Sequence, residues 1–449
     1  MKTVDVGQVL DEGPWTGYQK LLIAGTALAI ILDGVDNQLL PNAQIAIATE
    51  WQIQLPQLAN ALAAGPFGMM IGGILVGSLG DRIGRRNALL GSALTFGLLT
   101  LAIAFVGDVQ MLMLLRFLAG VGLGGAMPNA AALASEYVPR RSRPFAVTLT
   151  IVCVPLGGFV AAWMARYILG PYGWRVLFIA GGLIPIGLAF LLFFILPESP
   201  RFLARDRANW PRLRTLLKKM GHDVPSDAEF VDASAAVGPK ASGSIRDLFR
   251  PALRRDTFGL FGAFFFCLMA VYIGLQRLPA TLRSLGFEPV FGNQAMQWFS
   301  LGGVIGSLTG ALIIQQLGSR VTMIGLSALA VLVSIFMAFN VPSPSGLMMA
   351  LVVLAIIGAL LNAVQTTMSA LAAHVYPVEI RGTGVGAVFA VGRIGNVLAV
   401  YVADYSLRVG GAPGYFSGWA VTMTLVLISL AIVRHHIGRS ADDPVPATH

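Results

Sequence analysis

The sequence predicts an all-α integral membrane protein of twelve transmembrane helices in two similar six-helix halves. Three observations carry that prediction. Of 449 residues, 56% are hydrophobic and only 12% charged, roughly half the charge of a soluble domain. Twelve apolar stretches can be read along the chain, each near the ~20 residues that cross a bilayer. One long polar segment, 197–255, separates them six from six. Disorder is excluded because it requires low hydrophobicity.

The first stretch, 18–43, follows a polar N-terminus with Asp5, Asp11 and Glu12 and no short apolar core with a cleavage site. It is expected to remain as a span rather than be removed as a signal peptide. It holds two acids, Asp33 and Asp36, and two amides, Gln38 and Asn42. The second, 56–79, carries Gly68, Gly72, Gly73 and Gly77, a spacing suited to close helix packing. A charged turn from Asp81 to Arg86 leads into the third, 88–107. The fourth, 110–137, contains Arg116 and satisfies GxGxxG at Gly120, Gly122 and Gly125. No strand precedes it and the surroundings are apolar, so helix packing accounts for it better than a dinucleotide loop. Stretches 144–168 and 174–196 complete the N-terminal half, residues 1–196.

The central cytoplasmic loop, 197–255, holds twelve of the 31 Lys and Arg residues. The C-terminal half, 256–449, then runs through stretches 256–279, 293–317, 321–340, 346–374, 382–407 and 414–437. Arg393 sits about eleven residues into the fifth of these. Cys153 and Cys267 both lie in apolar runs, and neither a disulfide framework nor a Cys-based metal site follows. No metal or cofactor is expected. Five histidines without a His-Glu-x-x-His pattern also argue against an intramembrane enzyme.

The net charge of +9 invites a nucleic-acid reading, but its distribution favours the membrane. With both termini placed inside, about 24 of the 31 basic residues fall on the inner side and five on the outer. Arg116 and Arg393 lie within spans. That bias fits the positive-inside rule. A multi-pass protein of a cell membrane follows, with the bacterial inner membrane as the expected location, no nucleic-acid partner and a monomeric state.

An internal repeat supports two halves. The turn from Gly77 to Arg86 has a counterpart ~234 residues later, from Ala311 to Arg320, and Tyr137 to Arg143 is echoed by Tyr376 to Arg381. Two similar halves imply alternating access around a site between them.

The motifs then become specific. Gly77-Ser78-Leu79-Gly80-Asp81-Arg82-Ile83-Gly84-Arg85-Arg86 resembles the loop 2–3 signature of the major facilitator superfamily. Arg116-Phe117-Leu118-Ala119-Gly120-Val121-Gly122-Leu123-Gly124 is similar to its span 4 motif, and Pro197-Glu198-Ser199-Pro200-Arg201-Phe202 to the end of its span 6. Asp33-Gly34-Val35-Asp36 and Val391-Gly392-Arg393-Ile394-Gly395 resemble the aromatic acid:proton symporter branch. The resemblance covers nearly the whole chain. It implies the major facilitator fold and proton-coupled import of an aromatic carboxylate, hydroxybenzoate- or phenylpropionate-like. The partners would be a small organic anion, a proton and the lipid bilayer. A proton-driven drug exporter, or a carrier of a non-aromatic acid, stays open; Pro155-Leu156-Gly157-Gly158 partly matches an antiporter motif.

Asp33 and Asp36 are the most expensive residues, at ~2.5–3.5 kcal/mol each near a span centre on insertion scales. Their i,i+3 spacing puts both on one helix face, and two carboxylates in low dielectric resist ionising together. The resemblance implies that this pair carries the coupled proton, with Arg116 assisting or closing the outer gate; a snorkelling Arg116 is the alternative. Arg393 can bind a carboxylate bidentately, as substrate anchor or as a fixed partner of Asp33 or Asp36. Gln38, Asn129, Tyr272, Gln276, Asn362, Gln365 and Asn396 are candidate cavity residues, although most buried amides simply bond helix to helix. The resemblance implies a gate at Asp81, Arg82, Gly84, Arg85 and Arg86, and a charge network of Glu136 and Arg143 with Glu379 and Arg381. Gln315 replaces the acid in the second copy of the gate turn, and the branch often has Trp at the position of Arg277.

Overall fold

A computed structural model describes residues 3–225, 228–231, 245–377 and 380–438. Helices dominate. α1 (Val6–Glu12) is short, and the side chain of Asp5 caps it by accepting from the Gly7 amide. The first half continues with α2 (Gly17–Glu50), α3 (Ala59–Ile83), α4 (Arg85–Ile103), α5 (Val109–Gly124), α6 (Ala126–Tyr137) and α7 (Arg143–Ile195). After the short α8 (Pro200–Ala204) and α9 (Trp210–Lys219) come α10 (Arg254–Ser284), α11 (Pro289–Leu317), α12 (Ser319–Phe339), α13 (Leu347–Val375) and α14 (Arg381–Ile432).

Among the described residues, ten helical stretches are long and apolar enough to cross a membrane, α5 and α6 forming one of them. The expected twelve spans are recovered inside the two longest. α7 breaks its helical backbone at Gly173 and α14 at Gly411, where the sequence places turns between stretches. The internal repeat is written into the backbone as well. Gly84 (φ 99°) opens α4, and Gly318 (φ 75°) opens α12 at the matching place of the second copy. A side chain is strained at such angles, so glycine holds both turns.

Small residues set how closely the helices approach. A Cβ on Gly68 or Gly72 would lie 2.1 or 2.0 Å from carbonyl oxygens of α5, and one on Gly124 would lie 2.4 Å from Met69 O of α3. The GxGxxG run is thus a packing surface. Side chains such as Ile74, Phe105, Phe190 and Phe339 are exposed, as expected of a lipid-facing surface.

The polar segment holds more order than its composition suggests. α9 buries Leu213, Leu216 and Leu217 while Lys218 and Lys219 close its last turn. β2 (Glu229–Val231) pairs in parallel with β1 (Thr3–Asp5), Val4 opposite Phe230. Both strands are three residues long, too short for alternation to reveal.

The chain forms two compact units. One holds 1–36, 68–157 and 175–240; the other holds 37–67, 158–174 and 241–449. The second is built around a core that includes Phe264, Phe299, Tyr415 and Trp419. The indole of Trp419 donates to Ala270 O at 2.8 Å, and the Tyr415 hydroxyl donates to Ile273 O at 2.9 Å.

Candidate functional site

In the first unit the acids of α2 are buried, Asp33 and Asp36 each 2% exposed. α4 and α5 supply the partners of Asp36. Thr100 donates its hydroxyl to Oδ1 at 2.5 Å, and Arg116 donates to Oδ2 at 3.0 Å and to the Asp36 carbonyl at 3.2 Å. Arg116 is itself 3% exposed. It does not snorkel; its charge is compensated by a carboxylate in a charge-assisted hydrogen bond. The backbone beside the acids is tightly held. A Cβ on Gly34 would lie 2.3 Å from Val154 O, and one on Gly157 would lie 2.1 Å from Ile31 O. Close contact between α2 and α7 therefore accounts for part of the antiporter-like Pro155–Gly158 run.

The gate-turn residues lie in the same unit. Arg85 forms an ion pair with Glu136, whose other oxygen accepts from the Ser199 hydroxyl. Arg86 donates to Leu196 O at 2.6 Å, and its amide to Glu198 Oε1 at 3.0 Å. Gly84 leaves room for Glu198, since a Cβ there would lie 2.2 Å from Oε2. Arg82 is exposed. Arg143 pairs with Asp11 of α1 and donates to Ser135 O at 3.2 Å. Arg143 begins a new helix after the turn that follows Tyr137. Asp81's side chain and Glu379 lie outside the described residues. Asn129 donates to Gly125 O at 2.7 Å and Val76 O at 3.3 Å, which ties α6 to α3.

In the second unit a string of amides joins α2, α10 and α14. Asn42 donates to Gln38 O at 2.7 Å. Gln44 donates to Gln276 O at 2.8 Å, and Gln276 to Asn396 Oδ1 at 3.3 Å. Gln38, Asn42, Gln276 and Asn396 are all buried. Arg393 is half-buried and lies three residues before Asn396, on the same helix face. Tyr272 and Gln365 are half-buried. Asn362 donates within its own helix, to Gly358 O at 2.9 Å, and Arg381 to Tyr376 O at 3.3 Å.

Arg277 is also part of this unit. It is 1% exposed and donates to Gln44 Oε1 at 2.5 Å, Asp404 Oδ2 at 2.6 Å and Leu55 O at 3.3 Å. The sequence reading passed over Asp404, Gln44, Thr100 and Ser300. Asp404 carried a signal, an acid inside the stretch 382–407; a lone Thr or Ser in an apolar run carries none.

Residues 26–400 match the family Major Facilitator Superfamily. The chain is 30% identical over 420 residues to a gallate transporter of Pseudomonas putida, covering 92% of this chain and 91% of the relative. It is 30% identical over 429 residues to the 4-hydroxybenzoate transporter PcaK of Acinetobacter baylyi, covering 95% and 91%. Its fold resembles the partially occluded inward-open xylose transporter XylE from E. coli, with a TM-score of 0.73 at 17% identity over 94% of this chain and 99% of that one.

Proposed function

The chain belongs to the major facilitator superfamily of multi-pass membrane transporters, and we propose that it imports an aromatic carboxylate together with a proton. The observation that carries the coupling is the buried group of Asp33, Asp36, Thr100 and Arg116. A proton on Asp36 competes with Arg116 for the same carboxylate, so protonation frees the guanidinium and deprotonation recaptures it. A carrier that must couple proton uptake to a change of shape needs such an exchange. The substrate class is supported by relatives named for gallate and 4-hydroxybenzoate that match over nine-tenths of this chain.

In this reading both termini are cytoplasmic, as the basic excess on that side favours. Residues 1–196 and 256–449 are the moving halves and 197–255 connects them. Arg393 anchors the substrate carboxylate, with Gln276 and Asn396 beside it. The turn at Gly84, Arg85 and Arg86, braced by Glu136 and Glu198, acts as an inner gate. The protein works as a monomer. One proton with one monoanion is electroneutral, so ΔpH alone drives accumulation; a second proton would add ~2.3 kcal/mol per 100 mV of membrane potential.

The test is uptake of labelled aromatic acids into proteoliposomes under an imposed pH gradient. Accumulation that collapses with an uncoupler is expected. Absence of gradient-driven accumulation across hydroxybenzoates, phenylpropionates and muconate would falsify the proposal. Arg393→Lys keeps the charge and loses the bidentate fork; it is expected to raise the half-saturation constant, and unchanged kinetics would return Arg393 to a structural role.

A further inference from the structure

Several buried polar atoms of the second unit receive no hydrogen bond from any described residue, and four of them matter here. They are Gln38 Oε1, Asn42 Oδ1, Gln276 Oε1 and Ser300 Oγ, on residues 3%, 3%, 3% and 2% exposed. Three of them are amide oxygens, which only accept. Two amides are oriented by their own nitrogens: Asn42 Nδ2 is held by Gln38 O and Gln276 Nε2 by Asn396 Oδ1. The oxygens left over are therefore acceptors by construction.

Gln38, Asn42 and Ser300 are neighbours, and Gln276 is linked to the same helix. Asn42 follows Gln38 by one helical turn and bonds to its carbonyl. Ser300 of α11 and Gln38 meet at Gly158 of α7, where a Cβ would lie 3.0 Å from Ser300 Oγ and 3.5 Å from Gln38 Cγ. Gln276 is joined to the same part of α2 through Gln44. Its bond to Asn396 brings it within one turn of Arg393 along α14, ~4.5 Å of helix rise.

We propose that Gln38, Asn42, Gln276 and Ser300 form a hydroxyl-reading subsite that accepts hydrogen bonds from the phenolic groups of the substrate ring. The proposal rests on the transport reading above and narrows its substrate class to hydroxylated aromatic acids. Unmatched buried acceptors are costly, and a phenol supplies the donors they need. A ring that carries only hydrogen leaves them unmatched, so the subsite selects by penalty as much as by attraction. A side chain at Gly158 would press on Ser300 and Gln38, so glycine leaves these two side chains undisturbed.

The experiment compares half-saturation constants for benzoate, 3-hydroxybenzoate, 4-hydroxybenzoate and 3,4-dihydroxybenzoate in proteoliposomes. The ratio of two constants on one preparation does not depend on how much carrier folds. Benzoate is expected to need about tenfold or more higher concentration than the best hydroxylated acid. Gln38→Leu and the milder Ser300→Ala are each expected to shrink that ratio severalfold, and Gly158→Ala to shrink it by crowding the same two side chains. Equal constants for benzoate and every hydroxybenzoate in the unmodified protein overturn the subsite and leave the transport reading standing. A ratio unchanged in all three variants does the same. Uptake of none of the four acids removes the transport reading and the subsite with it.

Discussion

Arg277 of α10 is paired with Asp404 of α14 across 2.6 Å, and the pair is unequally buried: Arg277's side chain is 1% exposed and Asp404's 21%. Gln44 Oε1 and Leu55 O take two further hydrogen bonds from the guanidinium. Four chain segments are thereby tied at one cation. The asymmetry of burial makes the two halves of the pair unequal in energy. Removing Asp404 strands a buried cation, which costs about 3–5 kcal/mol in comparable pairs. Removing Arg277 leaves a carboxylate that water can reach. Asp404→Ala is therefore expected to lower the melting temperature of the purified protein more than Arg277→Met. The reverse order would mean that Gln44 and Leu55, and not Asp404, compensate the guanidinium.

The Asp33–Asp36 pair gives a functional separation. Asp36→Asn keeps a group that can bond Thr100 but cannot take up the proton that displaces Arg116. Asp33→Asn and Asp36→Asn are each expected to abolish accumulation driven by a pH gradient. Substrate exchange between equal concentrations should persist, because it needs no net proton movement. Normal accumulation by both variants would remove the pair from coupling.

Gly84 carries a prediction in stability. Its φ of 99° is strained for any side chain, and a methyl group there would meet Glu198 Oε2 at 2.2 Å. Gly84→Ala is expected to cost about 1–3 kcal/mol from backbone strain. Displacing Glu198 also removes the partner of the Arg86 amide. Thermal unfolding of the purified variant measures this, and an unchanged midpoint would show that the turn can relax.

Glu136 is paired with Arg85, and Arg143 with Asp11. A double-mutant cycle on Arg85→Ala and Glu136→Ala should give a coupling energy of about 0.5–3 kcal/mol, and the same cycle with Arg143→Ala close to none. Arg143→Ala should instead loosen α1 through Asp11, read as faster hydrogen exchange in residues 6–12. Strong coupling between Arg143 and Glu136 would instead place the two in direct contact.

One pH dependence follows from the polar segment. Burial pushes the His222 imidazole below its usual value, and a Cβ on Gly13 would lie 2.2 Å from its Cε1. The folded form prefers the neutral ring, whereas the unfolded segment titrates near its ordinary ~6.5. The stability tied to this group is complete above that value and declines as pH falls below it. Exchange protection around residues 3–13, corrected for intrinsic rate, should drop between pH 7.5 and 5.5. His222→Gln should flatten the drop.

The sequence by itself determined the number of spans, the two related halves and the short list of charges at membrane depth. These are legible because the free energy of placing a residue in a bilayer is largely a property of the local stretch. Gly84 was readable as well, since a tight turn needs a residue free of a side chain. The tertiary structure alone decided who pairs with whom. Asp36 finds Arg116 across 80 positions and Arg277 finds Asp404 across 127, and Glu136 finds Arg85. Such pairings are set by how helices are rotated and stacked, and a single stretch of sequence carries no record of its neighbour's rotation. The same holds for Gln38, Asn42, Gln276 and Ser300. Each alone is an ordinary polar residue in an apolar helix, and only packing leaves their oxygens buried and unmatched.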